Sequence, residues 1–164
     1  MKRISIYLGA WVMMALTLAS CTKEFIPGEQ DTRVVAAYIK ELAAGNDILK
    51  KGAVATSVVT KTVGQVGVEI SEVKVYAVAE ESTTKSDWKL VKTVPFTEGM
   101  ELSATGAEIA TALGVDPESL EEPVLYQEVV TKDGRSFDVA TNIPSNYESF
   151  PNYHMAMTWY LSVE

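Results

Sequence analysis

A chain of 164 residues with a net charge of −8 and 47% apolar residues is long enough to bury one hydrophobic core unaided by disulfide or metal. Its acidity argues against nucleic acid as a partner and against a basic patch for anionic lipid, because the summed field repels phosphate. One cysteine permits no internal disulfide, and one histidine leaves no nitrogen and sulfur set for zinc.

The amino terminus carries the sharpest local signal. Lys2 and Arg3 precede the uncharged run Tyr7 to Leu18, which fits the ~7 to 15 apolar residues of a secretory signal. The run closes on Leu18-Ala19-Ser20-Cys21 and there resembles the processing site of bacterial lipoproteins. That resemblance implies cleavage after Ser20 and a diacylglyceryl group on the Cys21 sulfur. Residues 1–20 are then a signal peptide, and residues 21–32 a lipidated cysteine with a flexible tether. Thr22 to Thr32 holds Pro27 and Gly28 among charges and has no apolar period. The alternative is a spanning helix, but Ile4 to Ser20 offers 17 residues, at the short limit of the ~17 to 25 that a bilayer crossing needs. Losing residues 1–20 leaves 12 basic and 22 acidic residues, a net charge of −10. Membrane attachment therefore rests on acyl chains, each buried methylene contributing ~0.8 kcal/mol. Lys23-Glu24 resembles, with less acid, the signal that carries some lipoproteins to the cell surface.

Residues 33–164 read as one domain. Arg33 to Leu42 fits a helix by the spacing of Val34, Tyr38 and Leu42 and equally a strand buried on both faces; a strand is favoured. Val54 to Val63 and Val68 to Val78 are rich in β-branched residues, with Gly64-Gln65-Val66-Gly67 expected as the turn between them. The second run alternates cleanly except for a slip near Ser71, the sign of a bulge. Glu80 to Asp87 is a polar turn, and Trp88 to Phe96 is a strand facing inward through Trp88, Leu90 and Val94 until Pro95 weakens it. Thr105 and Glu108 form a capping box ahead of Ile109 and Leu113, and Gly114 suits the left-handed stop, so one short helix is expected. Asp116-Pro117 opens a further turn. Val124 to Thr131 and Ser136 to Ala140 flank Lys132-Asp133-Gly134-Arg135, which predicts a hairpin with a type I′ turn. A proline-bearing loop follows from Asn142 to Tyr153, and His154 to Val163 is expected as a last strand. About seven strands and a short helix indicate a mostly β fold, an antiparallel sandwich.

Met100-Glu101-Leu102-Ser103-Ala104-Thr105, Glu108-Ile109-Ala110, Ala112-Leu113-Gly114-Val115 and Thr131-Lys132-Asp133-Gly134-Arg135-Ser136-Phe137 together resemble SusE-like surface lipoproteins over roughly residues 90 to 164. The resemblance implies an Ig-like β-sandwich of an outer-membrane glycan-uptake system. It rests on fold-level features, so it specifies the domain better than the ligand.

Candidate chemistry is sparse. His154 stands without a nucleophile motif such as Gly-x-Ser-x-Gly. Asp116, Glu118, Glu121 and Glu122 lack a calcium-loop spacing and suit helix capping and a solvated face. The aromatic concentration is the least bland feature: Tyr147, Phe150, Tyr153, Trp159 and Tyr160 are 5 of 14 aromatics. Exposed rings stack on sugar C–H faces, and tyrosine and tryptophan carry polar tips suited to a half-wet surface. Tyr147, Phe150, Tyr153 and Trp159 are therefore candidate ligand-binding residues, with core packing the competing role, above all for Trp159. The reading is a non-catalytic, lipid-anchored envelope protein without metal or cofactor, one that binds glycan or serves an uptake complex. The alternative is a structural or adhesive module with a protein partner, and an enzyme is the weakest alternative.

Overall fold

The computed structural model describes residues 36–141 and 155–164; Cys21, the tether, Tyr147, Phe150, Tyr153 and His154 lie outside them. The ambiguous first run is a strand, β1 (Ala37–Asn46), followed by β2 (Ile48–Leu49). The next β-branched run divides. Val54–Thr56 is a 3-10 turn, and β3 starts later and runs further, Val58–Gly67. Gly64 to Val66, expected as a turn, are strand residues that pair with Lys40 to Tyr38 of β1. A Cβ on Gly64 would meet only side-chain ends, Glu98 Oε1 at 2.5 Å and Leu42 Cδ1 at 3.0 Å. The turn itself begins at Gly67, whose φ of 88° favours glycine.

β4 (Ile70–Val78) contains the expected bulge: Ile70 faces Thr131 while Glu72 faces Val130, and the Ser71 hydroxyl donates to the Val130 carbonyl at 2.9 Å. β5 (Lys89–Pro95) carries a second irregularity, opposite Val75 and Tyr76. The slip turns Leu90 outward, 52% exposed, and packs Val91 against the core in its place, while Val94 packs there as expected. β6 (Met100–Thr105) leads into α1 (Gly106–Leu113), which has both halves of the Thr105/Glu108 capping box and ends on left-handed Gly114. Asp116 caps the 3-10 turn Pro117–Ser119, as its Asp-Pro pair implied.

β7 (Val124–Thr131) and β8 (Ser136–Phe137) form the expected hairpin with different turn chemistry. The Gly134 N–H donates to the Thr131 carbonyl and Thr131 N–H to the Arg135 carbonyl. With Gly134 at φ 82°, this is a three-residue loop closed by a left-handed glycine, where a two-residue type I′ turn was expected. The last expected strand is two short ones, β9 (Thr158–Tyr160) and β10 (Ser162–Val163), which join different sheets.

One sheet has the order β1-β3-β6, and the other runs β5-β4-β7-β8 with β9 beside β8 on the same edge of β7. β10 pairs parallel with β2. The first, second and fifth long strands thus share one sheet and the third, fourth and sixth the other, the arrangement of an Ig-like sandwich. Ile39, Val59, Val63 and Leu102 from one layer meet Val73, Val75, Leu125 and Val129 from the other in a single buried cluster. α1 closes this core with Ile109 and Ala110 and touches the Val54–Thr56 turn so closely that a Cβ on Gly106 would lie 2.0 Å from the Val54 oxygen. Within the core, Gln127 is fully buried; with its amide nitrogen turned inward it donates to the Met157 and Ala156 carbonyls at 2.6 and 2.9 Å. That pairing satisfies an amide whose burial would otherwise be costly.

Candidate functional site

Alternation along β4 and β7 gives the five-stranded sheet a second populated face. Opposite the core, Tyr76 pairs with Tyr126, Lys74 with Glu128 and Val78 with Val124. Trp88 lies flat on Tyr126, ring centroids 4.3 Å apart and 3° between planes, and its indole N–H donates to the Ser82 carbonyl at 3.0 Å. The turn after β4 is thereby folded down onto the sheet, and Val78, Trp88, Val124 and Tyr126 form a small buried cluster of their own.

A charged network adjoins these rings. Lys85 Nζ lies 3.1 Å from Glu128 Oε2 and 2.6 Å from Asp138 Oδ2, and the Tyr76 hydroxyl donates to Glu128 at 2.8 Å. Asp138 Oδ1 accepts the backbone N–H groups of Ala140 and Thr141, both at 2.9 Å. Burial would push the Glu128 carboxyl up, but hydrogen bonds from Tyr76, Lys85 and Ser136 outweigh it and hold the carboxyl below its usual range. Burial likewise would lower Lys85, and its bonds to Asp138 and Glu128 win and raise it. For the Tyr76 phenol, burial and the neighbouring Glu128 act together and push it up. The network is a latch: it fastens the 82–88 turn and the start of the segment after Asp138 onto one sheet face.

A broad open cleft of about 1190 Å³ lies where the turn after β4, the Pro117–Ser119 turn and β9–β10 meet. Its rim is acidic, with exposed Glu80, Glu81, Glu121 and Glu122, and Lys51 the one basic group in its lining among the described residues. Tyr160 stands in this cleft with 57% of its surface exposed, and its hydroxyl donates to Glu81 Oε1 at 3.0 Å. An exposed phenol ring offers an apolar face, and the carboxylates beside it accept hydrogen bonds from hydroxyl groups. The same carboxylates repel an anionic ligand. Glu118 is engaged structurally, its two oxygens accepting the N–H groups of Gly52 and Val54 at 2.9 and 3.0 Å.

Of the residues singled out in the sequence, Trp159 is a core residue, 1% exposed, with its indole N–H bonded to the Ala156 carbonyl. It presents no ring face to a ligand. β9 alternates, so turning Trp159 inward puts Tyr160 outward, and the candidate moves by one position. The acidic run 116–122 divides into the cap (Asp116), the loop clamp (Glu118) and the cleft rim (Glu121, Glu122). Glu80 and Glu81, which complete the rim, carried no signal beyond a polar turn, because only the fold brings them to Tyr160. Cys21, Tyr147, Phe150 and Tyr153 lie outside the described residues.

No protein-family model matches the chain, and no curated protein matches it. Among solved structures it is similar to a pectate lyase from Pectobacterium carotovorum at 9% identity and a TM-score of 0.36, covering 62% of this chain and 24% of the lyase. A likeness to an engineered protein has 12% identity and a TM-score of 0.37, covering 79% of this chain and 20% of that one. The chain therefore spans a quarter or less of each of these structures.

Proposed function

We propose that this chain is a non-catalytic cell-envelope lipoprotein, anchored to the outer membrane through Cys21, whose β-sandwich binds glycan for a surface uptake complex. The observation that carries the reading is the apolar run ending in Leu18-Ala19-Ser20-Cys21. The exposed Tyr160 in an acid-rimmed cleft supports the ligand class, since a ring face beside hydroxyl acceptors suits a sugar. The carboxylates favour a neutral polysaccharide over a uronate or sulfated one. Tyr147, Phe150 and Tyr153 are further candidate contacts, on the segment that starts at the Asp138 latch. The second reading, an adhesive module with a protein partner, is favoured by Leu90, which stands exposed on the edge strand β5.

Fractionation of the envelope tests the anchor. The full chain is expected in membranes and to incorporate labelled palmitate, and Cys21→Ser is expected to lose both the label and sedimentation with membranes. A Cys21→Ser chain that stays fully membrane-bound would count for a spanning helix and against the lipid anchor.

A further inference from the structure

Lys61 is the one buried lysine among the described residues. It lies on β3 between the buried Val59 and Val63, facing the core, and only 8% of its surface is exposed. Lysine is almost never buried so far without a partner. Here the ammonium has two: Asp47 Oδ2 at 3.0 Å and Glu41 Oε2 at 3.3 Å, with the Trp159 ring centroid 5.7 Å away. Asp47 adds an anomaly, because its second oxygen, Oδ1, is buried with no hydrogen-bond partner. A buried, unpaired carboxylate oxygen is costly, whereas an amide carbonyl at the same place carries no formal charge and costs less.

We propose that Lys61 and Asp47 condense spontaneously to an isopeptide bond, with Glu41 as the proton relay. Glu41 takes a proton from the Lys61 ammonium, and the freed amine attacks Cγ of Asp47. Glu41 returns that proton to the departing oxygen and then passes it the second proton, lost by the attacking nitrogen, so that a C–N bond forms, a C–O bond breaks and one water leaves. The ammonium supplies two hydrogens and the carboxylate one oxygen, so the step needs neither oxidant nor cofactor. The fold provides the driving geometry by holding amine and carboxyl in contact, an effective concentration that free groups in water lack. Asp47 and Glu41 keep 40% and 30% of their side chains exposed, which leaves the water a way out. The product fastens the β1–β2 connection to the middle of β3, a covalent staple in a chain whose single cysteine provides none.

Tryptic mapping of the full chain reads the bond directly, whatever the state of its amino terminus. Condensation blocks cleavage at Lys61 and yields a branched species, Glu41–Lys50 joined to Gly52–Lys74, lighter by one water than its two parts. Fragmentation must place the branch at Asp47 and Lys61. Asp47→Asn should give the identical branched mass by loss of ammonia, Asp47→Ala should give none, and Glu41→Gln should slow or abolish formation while circular dichroism reports an unchanged fold. Recovery of linear Glu41–Lys50 with full cleavage after Lys61 in the unmutated chain would overturn the proposal and leave an ion pair. Undiminished cross-linking in Glu41→Gln would overturn the relay.

Discussion

Replacing Lys85 with alanine isolates the latch on the outer sheet face, because it removes the one cation within 3.1 Å of both Glu128 and Asp138. Removing one partner from a fully buried ion pair costs roughly 3–5 kcal/mol. The cost here is smaller, since Lys85 keeps 34% of its side chain exposed, Glu128 keeps the Tyr76 hydroxyl and Asp138 keeps two backbone N–H groups. About 2 kcal/mol is expected, which at a urea m-value of ~1 to 3 kcal/mol per molar lowers the unfolding midpoint by ~1 M. The pH dependence has a definite sign. A carboxyl held low in the folded state contributes stability above its unfolded range and loses it as pH falls through the folded value. Burial opposes the lowering of Glu128 and its hydrogen bonds, including the one from Lys85, produce it. Lys85→Ala should therefore lose most at neutral pH, and the gap to the unmutated chain should narrow on acidification. Urea titrations at ~pH 7 and ~pH 3 measure both effects. An unchanged midpoint, or a gap equal at the two pH values, would refute the latch as described.

Other substitutions check separate parts of the structure. Gly106→Ala puts a Cβ 2.0 Å from the Val54 oxygen, so despite alanine's better helix propensity it should destabilise by ~1–3 kcal/mol, seen as a lower Tm. Thr105→Ala removes the cap from α1 and should cost ~1 kcal/mol in the same assay. Trp159→Ala empties a fully enclosed site and should cost ~3–5 kcal/mol. Tyr160→Ala, one residue on and exposed, should change stability by ~0.5 kcal/mol or less, so a reversed order of these two would show that β9 faces the other way.

What the sequence made legible follows the range of each signal. The capping box, Gly114 and Asp116-Pro117 act within a few residues, and helix and turn lie where they imply. The slip at Ser71 was also visible, since a bulge breaks an otherwise regular alternation. Leu90 misled because the irregularity in β5 reverses which side chains face in, and it is fixed by pairing with β4, which no local pattern reports. Gly64 misled for a similar reason: it pairs with Lys40 inside the β1–β3 ladder and bends nothing. At the candidate site the aromatic concentration drew attention to β9, where Trp159 takes the core role that competed with ligand binding and Tyr160 faces the cleft. Lys61, the latch and the rim made by Glu80 and Glu81 were illegible, because each joins residues that only the sandwich brings together.

Affinity electrophoresis of the chain against a panel of neutral and anionic polysaccharides tests the binding claim most directly. Migration slowed by a neutral glycan, unaffected by anionic ones and restored in Tyr160→Ala at unchanged Tm, is the result expected for an acid-rimmed sugar site. Retardation that persists in Tyr160→Ala, or none by any glycan, would contradict a sugar site in that cleft.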